Sequence, residues 1–512
     1  MKKIIICLLA LFLISGCSKN REEAEEGKVT LKIWETYNEK EHNVFLEVIK
    51  DFKKYYKANL KGKYKVKLDI VASRIPFGNA VESIKTACSI NATPDIGRID
   101  AGKVLELAYH QILVPLDTIE DINIEEKGKA YLPAPFKANV IKVREKGKWV
   151  DHLYGFPEQA TCVALYYNKG MFKEKSEELA KAGLDSSRAP RTWKEAIEYA
   201  KILTDPAKKQ FGFGFRNNLW FTFPFFSMYQ AKFISIDPET GKQYCSINSK
   251  LGVAALQKKI DMCLKEYDVK GGKSKIEAGA WKGGVGPDQG FINGSYAMVL
   301  SGPWHLKTFS DSVKDLGVAL IPKISKEEAI KVGLITENAT DEEYNAKITT
   351  STNLGGNSLV MFKTCKGIKR KIAYDFMNFV TSKKAQLKWA KELDQIPINM
   401  EAFKEVKSKK DMAANKKVFI EQIYYANAQP KVPLSSILYE FANLEMENAL
   451  KQRKTAKEAL DTVADQINKK IFTLVNEAVI YTDEDATWKI IGMVASILAF
   501  FTVLGLLAKK FA

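Results

Sequence analysis

Three tryptophans and a few polar side chains are the residues here best suited to holding another molecule. Trp304 follows Gly302 and Pro303 at the end of the apolar run "YAMVLSGP", so its backbone is fixed while its ring faces either a core or a cleft. Trp220 and Asn218 open the aromatic stretch "RNNLWFTFPFFSMYQ", and Trp281 stands before the glycine-rich "KGGVGPDQG". An indole ring stacks on the flat C–H face of a ligand, and polar side chains meet hydroxyls at the rim. Most rings of the aromatic stretch, Phe221, Phe223, Phe225, Phe226 and Tyr229 among them, must be core, because exposed together they would form a large sticky patch. Trp34, at the end of a predicted strand, suits a core as well as a cleft. The polar candidates are Glu35, Tyr37, Asn38 and Glu39 past that strand, Asp100 past a later one, and Glu158 in "GFPEQAT". Of the acids, Asp100 and Glu158 are set apart as acceptors of paired hydroxyl hydrogen bonds. Paired carboxylates also hydrolyse glycosides, but no spacing in the sequence fixes their separation.

Composition removes several other chemistries. The formal charge is +17, yet the lysines are spread along the chain in pairs such as "KKYYK" and "KGIKRK" with acids between them. That pattern is a solvated surface, and no nucleic-acid partner is expected. Beyond Cys7 and Cys17, five cysteines remain, Cys88, Cys162, Cys245, Cys263 and Cys365, odd in number and far apart. They allow at most one bridge and form no zinc or redox motif, and His42, His110, His152 and His305 are equally scattered. No metal or cofactor is expected. "GVGPDQG" lacks the glycine spacing of a dinucleotide loop and reads as a turn.

Elements that would position these residues follow from hydrophobic period. "KVTLKIW" alternates as a strand, "EHNVFLEVIKDFKKYY" places Val44, Val48, Ile49 and Phe52 at helical spacing, and "YKVKLDIVA" alternates again. Strand, helix, strand within fifty residues is a parallel α/β unit, and 512 residues exceed one core, so two lobes are expected. In open α/β sheets ligands bind past the carboxyl ends of strands, which selects 35–38, 73–75 and Asp100. "PRTWKEAIEYAKIL" is scaffold: Thr192 and Glu195 form a capping box, and Trp193, Ile197, Ala200 and Ile202 an apolar face.

Both ends carry membrane signals. Lys2 and Lys3, the apolar run Ile4–Ile14, then Ser15 and Gly16 have the layout of an export signal (1–16). The order Ile14, Ser15, Gly16, Cys17 resembles the bacterial lipobox, which implies a lipid on Cys17 followed by a polar tether (17–28). After a linker (479–487), Trp488–Ala508 is a 21-residue run whose one charge is Lys489, long enough to cross a bilayer. Acids at 483–485 and Lys509 and Lys510 in the tail (509–512) put the C-terminus in the cytoplasm and the body outside.

Several ordered motifs between Val29 and Phe472 carry a resemblance: "TPDIGRID" with "LVPLD", "LYGFPEQATCVALYYNKGMFKE" with "RTWKEAIEYAKILTD", "FINGSYAMVLSGPWHL", "NLGGNSLVMF" with "AYDFMNFVTSKKAQLKWAKELDQIPIN", and "TAKEALDTVADQIN". Together they resemble extracellular solute-binding proteins of ABC importers, in the maltose- and carbohydrate-binding family. The resemblance implies a two-lobed periplasmic-binding-protein fold over 29–478, with lobe 1 at about 29–157 and 305–350 and lobe 2 at about 158–304 and 351–478. It implies hinge closure on a small solute such as a sugar, permease subunits as partners, and binding without catalysis. It favours a stacking role for Trp304. A sensory or adhesive protein that kept this fold and lost transport is the alternative. The C-terminal span departs from the family, whose members end near the preceding helix.

Overall fold

The computed structural model describes residues 27–472, apart from 146–147, 240–241, 283, 410–411 and 429–434. The export signal, Cys17, most of the tether, the linker, the span 488–508 and the tail lie outside the described residues. Among those described, no helix is long and apolar enough to cross a membrane.

Ten strands form two sheets. We label them β1 (Lys28–Glu35), β2 (Lys67–Arg74), β3 (Ile96–Asp100), β4 (Gly155–Thr161), β5 (Ala164–Asn168), β6 (Phe211–Gly214), β7 (Tyr296–Ser301), β8 (Leu316–Ala319), β9 (Thr352–Met361) and β10 (Ala426–Ala428). The first sheet runs β10-β9-β3-β1-β2, with β4 also paired to β9. Strands β1, β2 and β3 are parallel, whereas β9 is antiparallel to both β3 and β4, so this sheet is mixed. The second runs β8-β5-β7-β6, with one parallel pair, β7 and β6. Helices cover both sheets, as the two-lobed α/β reading requires.

The alternation in β1 places Val29, Leu31 and Ile33 in the first core and Lys28 and Lys32 outward. The next helix, Glu39–Tyr55, starts where Asn38 Oδ1 accepts from Glu41 N and Glu41 Oε2 accepts from Asn38 N, each at 3.0 Å. It buries Phe45, Val48, Ile49 and Phe52 at helical spacing. Thr192 Oγ1 likewise caps Trp193–Leu203 through Glu195 N at 3.1 Å. The expected capping box is incomplete, because the Glu195 carboxylate turns to Arg191 N at 2.6 Å and to Arg188. The buried face of that helix is Trp193, Ala196, Tyr199, Ala200 and Leu203, with Ile197 and Ile202 at its edges.

The lobe boundaries differ from the sequence expectation. β4 stays in the first sheet to Thr161, so the chain first crosses at Cys162–Val163 rather than after 157. Residues 305–350 belong to the second lobe: β8 pairs with β5, and Ile321, Ile324 and Tyr344 join that lobe's core. The return crossing falls near Ser351, after which β9 lies in the first sheet and Ile372, Phe376 and Trp389 pack in the first core. The helices Ser435–Leu450 and Ala456–Ile467 then pack on the second lobe. The Gly302–Pro303 turn was expected to end lobe 2, but it joins a strand to a helix within that lobe, because β8 completes the ladder there. At the crossings Thr352 Oγ1 accepts from Val163 N at 2.9 Å and donates to Val163 O at 2.8 Å, so the two connections are tied together. All five described cysteines are free thiols.

Gly356 in β9 has φ +146°, and a Cβ there would meet Gln159 O at 1.9 Å. Gly356→Ala is expected to lower stability by about 2 kcal/mol or more, since strain and overlap with backbone add. Urea unfolding of the variant checks this, and a loss below about 0.5 kcal/mol contradicts it.

Candidate ligand-binding cleft

A cavity of about 760 Å³ opens between the lobes. The first lobe contributes Thr36 and Asn38 past β1, Phe77 past β2, Asp100 at the end of β3, and Asn357 from β9. The second lobe contributes Asn218, Trp220 and Phe221 at the start of the helix Leu219–Met228, and Trp304 just past β7. The helix Ser435–Leu450 supplies Ser436, Tyr439, Glu440 and Asn443, one face by spacing.

Both cleft tryptophans lie over glycines. A Cβ at Gly355 would fall 2.0 Å from Trp220 Cη2, and one at Gly302 would fall 1.9 Å from Trp304 Cζ3. Each ring therefore occupies the space that any other residue at those glycines would fill. Trp220 is held further through its carbonyl, which accepts from Asn353 Nδ2 at 2.9 Å. Its helix is capped twice: Asn218 Oδ1 accepts from Phe221 N at 3.0 Å and Asn443 Oδ1 from Leu219 N at 2.7 Å.

Behind the first-lobe wall lies a buried charged layer centred on Arg98, which is 2% exposed. Arg98 Nε donates to Glu158 Oε2 at 2.9 Å, Nη1 to Thr36 Oγ1 at 3.0 Å and Nη2 to Gln159 Oε1 at 2.8 Å. Its planar group sits 3.9 Å from the Tyr37 ring centre. Gln159 also accepts from Asn357 Nδ2 at 2.8 Å and donates to Glu41 Oε1 at 3.1 Å. Burial opposes the Arg98 charge, but Glu158, Tyr37 and Glu41 outweigh it and hold the proton more firmly than usual. Burial likewise raises the Glu158 and Asp100 carboxyls, the former against Arg98 and the latter against the Gly102 N–H, which donates to Asp100 Oδ1 at 2.7 Å. It raises the Tyr37 phenol strongly, with Glu158 adding to the effect.

Of the residues proposed from sequence, Asn38, Asp100, Asn218, Trp220 and Trp304 face this cleft, and Trp34, Glu35, Tyr37, Glu39, Glu158 and Trp281 do not: Glu39 is exposed, and Glu35 is buried, accepting from Tyr37 N at 2.6 Å with His42 Nδ1 2.6 Å away. Tyr37 is buried between Arg98 and Trp389, the latter ring stacked 5.1 Å away, because it points into the core from the turn after β1. Glu158 lies under Arg98 rather than in the cleft, since its alternation in β4 turns it inward. Trp281 packs on the second core and donates to Glu277 Oε2 at 3.1 Å. Trp34 packs against the first lobe's smaller cluster with Ile84, Ile99 and Val104. Sequence reasoning missed Phe77 by stopping the strand-end window at Ile75. It also missed the face of Ser436, Tyr439, Glu440 and Asn443, whose i, i+3, i+4, i+7 spacing was visible. Arg98 gave no signal within "IGRID", because nothing local distinguishes a buried arginine from an exposed one.

A sequence-family model described as bacterial extracellular solute-binding protein matches residues 47–416. The chain belongs to that family. Among curated relatives, the solute-binding chain is 24% identical over 315 residues to the sn-glycerol-3-phosphate-binding periplasmic protein of Brucella melitensis, covering 60% of this chain and 62% of the relative. It thus spans less than two-thirds of that protein. It is 19% identical over 483 residues to the galactooligosaccharide-binding protein of Bacillus subtilis, covering 90% of this chain and 94% of the relative. Among solved structures it is similar to the GacH receptor of Streptomyces glaucescens, determined unliganded and with acarbose, at 22% identity and TM-score 0.65 over 86% of this chain and 98% of that one. A Listeria monocytogenes substrate-binding protein in complex with cycloalternan gives 19% identity and TM-score 0.66, again over 86% of this chain and 98% of that one. These likenesses establish the two-lobed fold of the family, whose members act outside the cytoplasm.

Within this solute-binding protein the Arg98 layer is one place where a single change should have a large effect, because the buried charge is hydrogen-bonded at each nitrogen. Arg98→Met keeps the volume but leaves Glu158 buried without its cation, and should cost about 3–5 kcal/mol of stability in urea unfolding. A loss under about 1 kcal/mol would show that the layer does not hold the first-lobe wall.

Proposed function

We propose that this solute-binding protein captures a sugar or oligosaccharide outside the cell and delivers it to the permease of an ABC importer. The observation that carries this reading is the cleft itself, in which Trp220 and Trp304 from one lobe face Asn38, Asp100 and Asn357 from the other. Flat rings paired with short polar side chains suit a ligand with C–H faces and hydroxyl rims, and about 760 Å³ lies within the usual range for small-molecule sites. The galactooligosaccharide-binding relative supports the same class. Binding proceeds by hinge closure at the paired crossings: a ligand touching both lobes stabilises the closed arrangement over the open one. Binding without chemistry accords with Glu158 lying behind Arg98 and not beside Asp100 in the cleft. Trp304→Ala should leave the fold intact and weaken oligosaccharide binding by about 1–3 kcal/mol, the scale of one aromatic platform. Calorimetry measures it, and unchanged affinity would remove the stacking role.

We further propose two membrane attachments, a lipid on Cys17 and a span over 488–508. The support is the order of residues at each end, which puts the body on the same side of the membrane by two separate signals. Held close to the bilayer, the lobes would reach the permease at a raised effective concentration. Cys17→Ser should stay in membranes through the span, a chain ending at Asp485 should stay through its lipid, and only the double variant should be released. Fractionation after alkaline washing reads the result. A soluble Cys17→Ser protein overturns the span, and a soluble truncation with Cys17 intact overturns the lipid.

A further inference from the structure

We infer that the cleft is built for an uncharged solute and discriminates against phosphorylated and carboxylated ones. This rests on the sugar reading above and narrows it, and it separates the two kinds of ligand named by the curated relatives. Two cationic side chains line the cleft among the described residues, Arg98 and Lys103. Arg98 is committed to Glu158, Thr36 and Gln159, with one face covered by Tyr37. Lys103 Nζ lies 4.8 Å over the Tyr439 ring, in the field of Glu106 and Asp100. Against these, Glu41, Glu82, Asp100 and Glu440 line the same cavity. An added anion would meet more negative than positive charge; of the two cations Arg98 is spent on the wall, and Lys103 is held over a ring between two carboxylates.

At three of the longer helix starts the backbone is also partly closed to anions. Phosphate binds readily at helix N-termini, where free N–H groups converge, and four helices of ten residues or more begin at this cleft. In Glu39–Tyr55 the Glu41 N–H is taken by Asn38, and in Leu219–Met228 two N–H groups are taken by Asn218 and Asn443. In Ser435–Leu450 the Ser436 N–H donates to Glu106 Oε2 at 2.9 Å, so a carboxylate from the other lobe already stands where an anion would bind. Ala80–Ser89 has no side-chain cap, but Glu82 sits in its first turn. Sugar hydroxyls fit such a site because they donate to carboxylates as well as accept. Phe77, 54% exposed on the first-lobe rim, adds an apolar surface opposite the tryptophans, which a neutral ring can use.

Matched pairs test this on the detergent-solubilised full chain: maltotriose against its 6-phosphate, and glycerol against sn-glycerol 3-phosphate, by calorimetry and thermal shift. The neutral trisaccharide should bind, and its phosphate should bind about 100-fold or more weakly, the scale of uncompensated like charge. Glu440→Lys should narrow that ratio about tenfold by reversing one charge at the cleft. A phosphate ester that binds as tightly as its neutral partner, or a ratio unmoved by Glu440→Lys, overturns the inference while leaving solute capture in place. If no member of the panel binds, the sugar reading falls and the inference with it.

Discussion

A buried guanidinium organises the first lobe's side of this cleft. Arg98 enters from β3 and touches the turn after β1 through Thr36 and Tyr37, and β4 through Glu158 and Gln159. Gln159 carries the connection to Asn357 in β9 and to Glu41 in the first helix, and the Glu158 carbonyl accepts from Gln386 at 3.0 Å. Removing a charge from water is costly unless its hydrogen bonds are replaced, so each of these segments must arrive in register for the arginine to be tolerated. The layer couples strand order to the shape of the wall, which is why Asn38, Asp100 and Asn357 present to one cavity.

The second lobe uses a different device. Its tryptophans are positioned by the absence of side chains, Gly355 beneath Trp220 and Gly302 beneath Trp304. Gly355 belongs to β9, a strand of the first sheet, so the Trp220 ring rests on the other lobe's strand next to the crossings. Rotation about those crossings would change the seat of this platform together with the width of the cleft. The Glu106–Ser436 contact adds a further hydrogen bond between the lobes. Both features lie where closure can be sensed by the ligand walls.

Charge shapes the cleft apart from its surroundings. The chain carries a formal +17, but many of its lysines are surface groups, some paired with acids, as in Lys53 with Asp69 and Lys388 with Asp51. The cavity has the opposite bias, and at three of its longer helix starts backbone N–H groups are taken by the protein's own oxygen atoms. Net charge therefore says little about the ligand, because a few buried or partly buried groups fix the field where the solute sits.

Several features were legible from the chain alone. The alternating apolar pattern of "KVTLKIW" and the helical spacing after it specify the first α/β unit, since period and burial are linked locally. The strand-end rule located Asn38 and Asp100, the fixed Gly302–Pro303 turn marked Trp304, and the aromatic stretch marked Trp220. The lobe boundaries were not legible, because whether β8 and β9 join one sheet or the other depends on ladder partners more than a hundred residues distant. Nor was the fate of Tyr37 and Glu158: both sit where a ligand could be, and only the burial of Arg98 between them turns them into its supports. Sequence determined the elements and the chemistry available at their ends, through short-range period and turn geometry. Tertiary structure decided which of those ends face one another, because a side chain's neighbours across a sheet or a cleft are set by the packing of remote segments.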